Sequence, residues 1–322
     1  MRVGRLLPLT LAAALALAAC GGSDDKKAVG PNGLEKSTLT VGLLPIADAA
    51  AVPLAQAKGY FKEEGLTVKL ETVQGGATAT KQVMAGSLDV SQTNYTSVFL
   101  ARENGTKVKI VADAAEAKPN LFNLMVRKDS KVKTATDLKG KKIAVNTLRN
   151  VGELAVAATL KAHGVAAGDV KFVEYPFPNM GPALQKGDID AAWVTEPFVT
   201  TGQSKLGLRT VADTMTGPTA DLPIAGWQVS EKFAEENPKT VAAFQRAVLK
   251  GQKLAAENRR EVQDIVPTYT KIDKDAVKVI VLPGYPTSLN PQRIQRVADL
   301  MKEFGYLKKS ADAKAILVGS TG

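Results

Sequence analysis

The chain has 322 residues, of which 45% are hydrophobic and 23% are charged. This balance is ordinary for a folded protein, and at roughly 150 residues per domain it predicts two domains. The formal net charge of +10 arises from lysines and arginines scattered among acidic residues, without the basic cluster and aromatic residues that nucleic-acid binding requires, so we exclude nucleic acid as a partner.

The first 19 residues have the composition of a secretory signal peptide. Arg2 and Arg5 precede an apolar run that is too short to span a membrane. The run ends in L-A-A-C at residues 17–20, which resembles the bacterial lipobox, where the cysteine is lipid-modified and becomes the first mature residue. An accidental cysteine in an ordinary signal peptide is the alternative. We expect acyl chains on Cys20 to anchor the protein to the cell membrane on its extracytoplasmic face.

Residues 20–37 lack any apolar period and predict a flexible, lipidated tether. From Leu39 onward, short apolar strands alternate with helical patterns, which predicts α/β units with mainly parallel sheets. The predicted strands cover residues 39–43, 67–71, 89–92, 109–112, 121–127, 142–146, 170–174, 189–193, 209–212 and 225–229. Helices lie between them, for example at 151–163 and 178–186.

After Ser230 the pattern is helical almost throughout. Asn237 and Pro238 predict a helix start, with the asparagine as N-cap and the proline at the first helical position. The apolar residues that follow at helical spacing mark one buried face; they are Val241, Phe244, Val248 and Ala255.

A short pattern occurs once in each α/β block. Residues 187–198 read G-D-I-D-A-A-W-V-T-E-P-F, and residues 86–95 read G-S-L-D-V-S-Q-T-N-Y. Both have glycine, one residue, an aliphatic residue and aspartate, followed by a short run that ends at an aromatic residue near threonine. A strand that only filled a core would usually end in a polar turn, so the repeat suggests two halves of one site.

Three stretches resemble the periplasmic-type substrate-binding proteins of bacterial ABC importers, in the branch for aliphatic sulfonates, taurine, nitrate and thiamine pyrimidine precursors. They are A-K-G-Y-F-K-E-E-G-L-T-V at 57–68, D-L-K-G-K-K-I-A-V at 137–145 and the stretch 183–198. The similarity runs from about Ser37 to Phe304. It implies an α/β, two-lobed type II periplasmic-binding-protein fold, in which each lobe is a mainly parallel sheet flanked by helices and a small molecule binds in the cleft between them.

On this fold we expect a first lobe formed by residues 38–122 and 227–322, and a second lobe formed by residues 123–226. The resemblance implies a permease and its ATPase subunits as partners, and we expect a monomer. Ligands of open α/β sheets bind beyond the carboxyl ends of the strands, which places Trp193 in one half of the cleft and Thr93, Asn94 and Tyr95 in the other.

Further candidates follow other strands of the first lobe. Asp48 follows the first strand, and Gly75, Gly76 and Ala77 follow the second and open a helix, where free N–H groups and the helix dipole favour anions or acceptor groups. A plain tight turn is the alternative. Trp227, at the second crossing between lobes, either reaches the cleft or fills the hinge.

In the second lobe, Asn150 and Glu153 have capping-box spacing, which leaves Thr147 and Arg149 free near the helix end. Arg149 could hold a sulfonate or carboxylate, or be a solvated surface residue. Phe177 and Asn179 follow the next strand. The roles of Trp193, Glu196 and Asp48 are open. Trp193 is either a platform for a ring or cation or a packing residue. Glu196 either accepts hydrogen bonds from an amine, together with Asp48 across the cleft, or is a charge at a helix start.

The carboxylates favour, slightly, a ligand with a ring or amine over an inorganic anion. The chain offers no zinc spacing, no nucleotide-binding glycine motif and a single histidine, His163, at a predicted helix end. We therefore expect no enzyme activity, catalytic residue, metal or cofactor. A non-transport lipoprotein, such as a sensor or adhesin, and an enzyme on the same fold are the alternatives.

Overall fold

The computed structural model describes residues 33–318, which contain ten strands and eleven α-helices. The strands are β1 Thr38–Leu43, β2 Thr67–Thr72, β3 Val90–Asn94, β4 Val108–Glu116, β5 Phe122–Val126, β6 Lys142–Val145, β7 Lys171–Glu174, β8 Ala191–Thr195, β9 Arg209–Asp213 and β10 Pro223–Ser230. The helices are α1 Ala51–Ala57, α2 Tyr60–Glu63, α3 Gly76–Met84, α4 Tyr95–Glu103, α5 Val151–Ala162, α6 Phe177–Lys186, α7 Phe198–Leu206, α8 Glu231–Glu236, α9 Pro238–Glu257, α10 Arg259–Tyr269 and α11 Pro291–Glu303.

The strands form two five-stranded sheets with the same plan. The first has the order β2-β1-β3-β10-β4, and the second has the order β7-β6-β8-β5-β9. In each, three strands pair in parallel, and one strand, β10 or β5, runs antiparallel to both of its neighbours. The two-lobed α/β architecture expected from the sequence is confirmed, with one inverted strand in each mainly parallel sheet.

The inverted strands mark where the chain passes between the sheets. The first crossing lies between Glu116 and Phe122, and the second between Asp213 and Pro223. Strand β10 belongs entirely to the first sheet, so this sheet resumes at Pro223, four residues before the boundary expected at residue 227. We call the segments 117–121 and 214–222 the first and second crossings.

The central strands are buried because helices cover both faces of each sheet. All five residues of β3, β5 and β8 are buried, as is expected where crossover helices pack on both sides of a mostly parallel sheet. Side chains at the carboxyl ends of these strands are therefore held in place by a rigid core.

The helical C-terminal part returns to the first lobe. Helix α9 buries the face that was predicted, with Val241, Phe244 and Val248 among its buried residues. The predicted cap is wrong in one respect, because Asn237 stands at the N-cap position but makes no cap hydrogen bond with its side chain. Its side-chain amide instead donates to the carbonyl of Phe233, in the preceding helix α8, at 3.0 Å.

The last residues of the predicted tether pack against the first lobe. Leu34 is buried, and the Glu35 carboxylate accepts a hydrogen bond from the Thr240 N–H at 2.9 Å. Packed structure thus begins before residue 38. The predicted signal peptide and Cys20 lie outside the described residues. Within residues 33–318, no helix is both long and apolar enough to cross a membrane.

Candidate functional site

A cavity lies where the carboxyl ends of β3 and β8 face each other. Its walls come from both lobes: Leu44, Ile46, Gly76, Gln92, Thr93, Asn94, Ile224 and Ala225 on the side of the first sheet, and Phe122, Asn146, Val151, Phe177 and Trp193 on the side of the second. The two halves predicted from the repeated pattern therefore meet. None of these described lining residues carries a charge.

The lobes are closed around this cavity. On one side the Asn150 amide donates to the Ser97 hydroxyl at 2.7 Å, and on the other the Ala47 N–H donates to the Glu196 carbonyl at 3.1 Å. The cavity volume is about 30 Å³, room for only a few water molecules at roughly 10–15 Å³ each. An organic ligand therefore requires the lobes to separate before it can enter.

Trp193 forms the aromatic wall of the cavity. Its ring stacks on Phe122 with the ring centroids 4.6 Å apart and the planes at 11°, and Phe177 lies 6.0 Å away. A side-chain Cβ at Gly152 would come within 2.7 Å of the Trp193 Cε3 atom, so the helix α5 backbone also contacts the ring. Trp193 thus packs as well as lining the cavity, which leaves little of its ring free to stack on a ligand.

The polar wall consists of neutral amides and a hydroxyl. The Gln92 Oε1 atom accepts a hydrogen bond from the Leu44 N–H at 2.9 Å. Its Nε2 group is buried and, among the described residues, has no partner, and neither has the Asn146 Oδ1 atom. Thr93 and Asn94, which were predicted, lie beside them. A buried amide without a partner costs about 1–3 kcal/mol, so these groups favour a ligand that can pair with them.

The start of helix α3 also reaches the cavity. Gly75 stands at its N-cap position without a side-chain cap hydrogen bond, and the first helical backbone bond runs from the Ala79 N–H to the Gly75 carbonyl. The N–H groups of the first turn, which includes Gly76 and Ala77, thus have no partner within the helix. Gly76 lines the cavity, Gly75 lies beside Thr147 of the other lobe, and Ala77 is exposed.

Arg149 lies outside the cavity. It is exposed, and its guanidinium lies 5.7 Å from the ring centroid of Tyr306 in the first lobe. The predicted capping box is wrong because Glu153 accepts the Arg149 N–H, while Asn150 accepts the Val151 N–H with its own side chain. Arg149 is left-handed, with φ 51°. Asn179 is exposed and does not line the cavity.

Two aromatic residues that were predicted to contact a ligand lie in the core of the first lobe. Tyr95 is 0% exposed, and its hydroxyl donates to Asp113 at 2.8 Å. It begins helix α4, so its side chain turns away from the strand end. Trp227 is also 0% exposed and packs edge-on against Phe244 at 6.3 Å. The structure brings neither residue to the cavity lining.

Glu196 holds the start of helix α7 and joins the lobes. Its carboxylate accepts the Thr200 N–H at 3.0 Å, the Thr200 hydroxyl at 2.8 Å and, across the lobes, the Val281 N–H at 3.3 Å. Burial raises the pKa of this carboxyl, and the hydrogen bonds oppose the rise. It does not line the cavity.

Asp48 lies behind the cavity wall, two residues after Ile46. It is 1% exposed, and neither carboxylate oxygen has a partner among the described residues. Burial raises its pKa to about 7. The nearby hydroxyls of Tyr269 and Tyr285 donate to backbone carbonyls of residues 46 and 47 and not to Asp48.

Several lining residues were missed in the sequence. Asn146 directly follows β6, Gln92 is the middle residue of β3, and Phe122 begins β5. The position of Asn146 just after a strand could have indicated it, and a glutamine within a strand that is buried throughout could have indicated Gln92. Phe122 could be found only once the inverted strand was recognised. The described residues contain no group of three or more His, Cys, Asp or Glu side chains that could hold a metal ion.

Two α/β lobes with a shared plan, closed on a cavity at their strand ends, define a periplasmic-binding-protein fold. The chain belongs to the NMT1/THI5-like family, whose sequence profile matches residues 47–262.

Curated relatives share this sequence pattern. The chain is 28% identical over 219 residues to the taurine-binding periplasmic protein of Escherichia coli, which covers 67% of this chain and 65% of that protein. It is 27% identical over 241 residues to the riboflavin-binding protein RibY of Chloroflexus aurantiacus, which covers 72% and 66% respectively. The matches thus span slightly less than two thirds of these relatives.

A solved structure shows the same fold. The alkanesulfonate-binding protein SsuA from Xanthomonas axonopodis pv. citri, bound to MOPS, superposes with a TM-score of 0.74 at 16% identity. The superposition covers 88% of this chain and 98% of that one.

Proposed function

We propose that this protein is an extracytoplasmic solute-binding protein, anchored through Cys20, that captures a small organic anion between its lobes and delivers it to an ABC importer. The observation that carries the proposal is the uncharged cavity at the meeting strand ends of both lobes. A ligand that contacts both walls binds the closed form better than the open form, and this differential affinity drives closure.

The cavity lining supports an anion over an amine. The uncapped start of α3 and the Nε2 group of Gln92 present N–H donors, and a helix N-terminus favours negative charge. No described carboxylate lines the cavity to pair with an ammonium group, because Glu196 is engaged by Thr200 and Val281. Phe122, Phe177 and Trp193 provide an apolar wall for the remainder of the ligand.

The relatives support the same class of function. The curated proteins named above bind taurine and riboflavin, and the superposed structure holds a sulfonate buffer. A permease, its ATPase subunits and a monomeric, membrane-anchored state complete the proposal. A ring-bearing ligand of the kind that RibY binds is the second candidate, supported by the three aromatic rings at the cavity.

The experiment is a thermal-shift screen of protein lacking residues 1–20. The panel holds taurine, alkanesulfonates, nitrate, aminopyrimidines, thiamine and riboflavin. A ligand at a hundredfold excess over its dissociation constant stabilises the folded state by about 2.7 kcal/mol. A sensor would also bind, but an adhesin would gain nothing from any solute. Recovery of the bound ligand unchanged, by mass spectrometry, would separate binding from an enzyme activity.

The substitution Gln92→Glu tests the charge of the ligand. It keeps the acceptor for the Leu44 N–H and replaces the unpaired donor by a second oxygen. We expect affinity for a sulfonate to fall at least about 100-fold, since a charge that faces the ligand's own charge in a buried site costs several kcal/mol. Gln203→Glu, on the exposed surface of α7, is the matched control. Unchanged affinity of Gln92→Glu for the sulfonate would overturn the anion assignment.

A further inference from the structure

One hydroxyl group links the cavity wall to the start of the second crossing. Thr214 is the first residue of the second crossing and is 0% exposed. Its Oγ1 atom accepts the Trp193 Nε1–H at 2.9 Å and donates to the Phe122 carbonyl at 2.9 Å. The Thr214 N–H donates to the same carbonyl at 3.0 Å.

The two residues that Thr214 contacts, Trp193 and Phe122, line the cavity and lie close to the crossings between the lobes. Phe122 is the first residue after the first crossing, and its ring stacks on Trp193 with both rings lining the cavity. Trp193 is held at the end of β8. If a ligand displaces the ring of Trp193 or Phe122, it must therefore strain the hydrogen bonds that join these residues to Thr214.

Packing also restricts the position of the Trp193 ring, in addition to this hydrogen bond. Gly152 leaves room for the ring because a Cβ there would approach Cε3 to 2.7 Å. The buried indole N–H of Trp227 has no partner among the described residues, whereas that of Trp193 has one in Thr214, at the start of the second crossing. Packing of a tryptophan in a core would not by itself require a partner in the hinge.

We propose that Thr214 is a positioning residue that couples occupation of the cavity to the hinge, by fixing Trp193 and Phe122 to the start of the second crossing. Contact of a ligand with the aromatic wall is thereby transmitted to the segments about which the lobes move. The part that concerns ligand rests on the proposed function, whereas the coupling of Trp193 to lobe separation does not.

The test uses protein lacking residues 1–20, which has no cysteine, with spin labels at Lys62→Cys and Lys186→Cys. Both positions are exposed, one in each lobe. Double electron–electron resonance then measures the distance between the two labels, and so the separation of the lobes, in protein without ligand. Thr214→Val keeps the shape and removes the hydroxyl, Thr214→Ser restores it, and Thr219→Val is the matched control. Thr219 is equally buried in the same crossing, but its hydroxyl bonds to the Thr214 and Thr216 carbonyls and not to Trp193.

We expect Thr214→Val to shift the distances toward an open form and Thr214→Ser to return them to the wild-type distribution. In a Trp227→Phe background, where Trp193 is the remaining tryptophan, acrylamide quenching should rise in Thr214→Val and stay unchanged in Thr219→Val. With taurine as the probe, the apparent dissociation constant should rise about 3- to 10-fold, the range for one lost buried hydrogen bond.

Trp193→Phe provides a second route if Thr214→Val folds poorly. It removes the N–H donor and keeps a ring, so it should open the lobes as Thr214→Val does, and the double variant should open them no further. Equal distances in Thr214→Val and Thr219→Val, or additive effects in the double variant, would overturn the coupling. If taurine does not bind, the ligand assignment fails, while the distances and quenching still decide the role of Thr214.

Discussion

Asp48 shows how a single buried carboxyl can set the pH dependence of stability. Its carboxylate oxygens have no hydrogen-bond partner among residues 33–318, and burial raises its pKa from 3.8 to about 7. The titratable groups nearest to it are Tyr269 and Tyr285, whose own pKa values are raised by burial. Among the described residues, only its own backbone N–H opposes this rise of the pKa.

We predict that Asp48→Asn becomes progressively more stable than the wild type as pH rises from about 4 to 7. Below pH 4 the carboxyl is protonated in both folded and unfolded states, and the two proteins should melt alike. Above it the unfolded chain releases the proton while the folded protein keeps it, so the wild type loses stability until its folded pKa is passed. At about 1.4 kcal/mol per pKa unit, the difference at pH 8 is at most about 4 kcal/mol.

Thermal melting of both proteins between pH 4 and 8 measures this difference, with each kcal/mol worth roughly 2–4 °C in Tm. Asp188→Asn, at an exposed site, is the control and should show no such trend. A difference in Tm that stays constant across this range would mean that Asp48 is not held neutral by burial.

At the scale of elements, helix α3 places backbone donors at the cavity because its first residue is glycine. A Cβ at Gly76 would lie 2.8 Å from the Ser97 hydroxyl, 2.9 Å from the Thr93 hydroxyl and 3.3 Å from the Asn94 amide. The helix start, the end of β3 and the start of α4 therefore approach one another more closely than any other residue would allow.

We predict that Gly76→Ala pushes α3 away from β3, lowers stability by about 1–3 kcal/mol as overpacking does, and weakens ligand binding about 10-fold or more. Calorimetric titration with the best ligand of the screen, together with a melting curve, measures both effects. Gly168→Ala is the control because its Cβ would meet no atom within 4 Å. Full affinity in Gly76→Ala would show that the start of α3 does not contact the ligand.

The order of elements could be read from the sequence, whereas the direction of several side chains could not. All ten strands overlap the runs that predicted them. The signal is most continuous in strands buried on both faces, such as β5 and β8. Five of the residues proposed as ligand contacts line the cavity: Gly76, Thr93, Asn94, Phe177 and Trp193. The placement of Tyr95 depended on Asp113, eighteen residues later, and that of Glu196 on Val281; no local pattern reports such contacts.

At the scale of the whole molecule, closure rests on contacts that flank the cavity on both sides. Glu196, two residues before α7, contacts Val281 of the first lobe, and Lys205 within α7 forms an ion pair with Asp273 at 2.7 Å. On the opposite side, Asn150 meets Ser97. The ion pair is about half exposed and contributes little, whereas the Asn150–Ser97 hydrogen bond is buried.

We predict that Ser97→Ala shifts the equilibrium toward the open form and weakens ligand binding about 2- to 10-fold. In the closed form the variant leaves the Asn150 amide without its acceptor, and in the open form water can reach it, so the net loss of about 0.5–1.5 kcal/mol falls on closure. The cap of α4 survives, because the Ser97 N–H and not its hydroxyl binds the Asn94 side chain.

Ser204→Ala is the matched control, since the Ser204 hydroxyl bonds to the Thr200 carbonyl within α7. Calorimetric affinity and the small-angle scattering radius without ligand should change in Ser97→Ala and not in Ser204→Ala. Equal affinities of Ser97→Ala and the wild type would assign closure to the α7 side of the cavity, where Glu196 accepts hydrogen bonds from two segments of the first lobe.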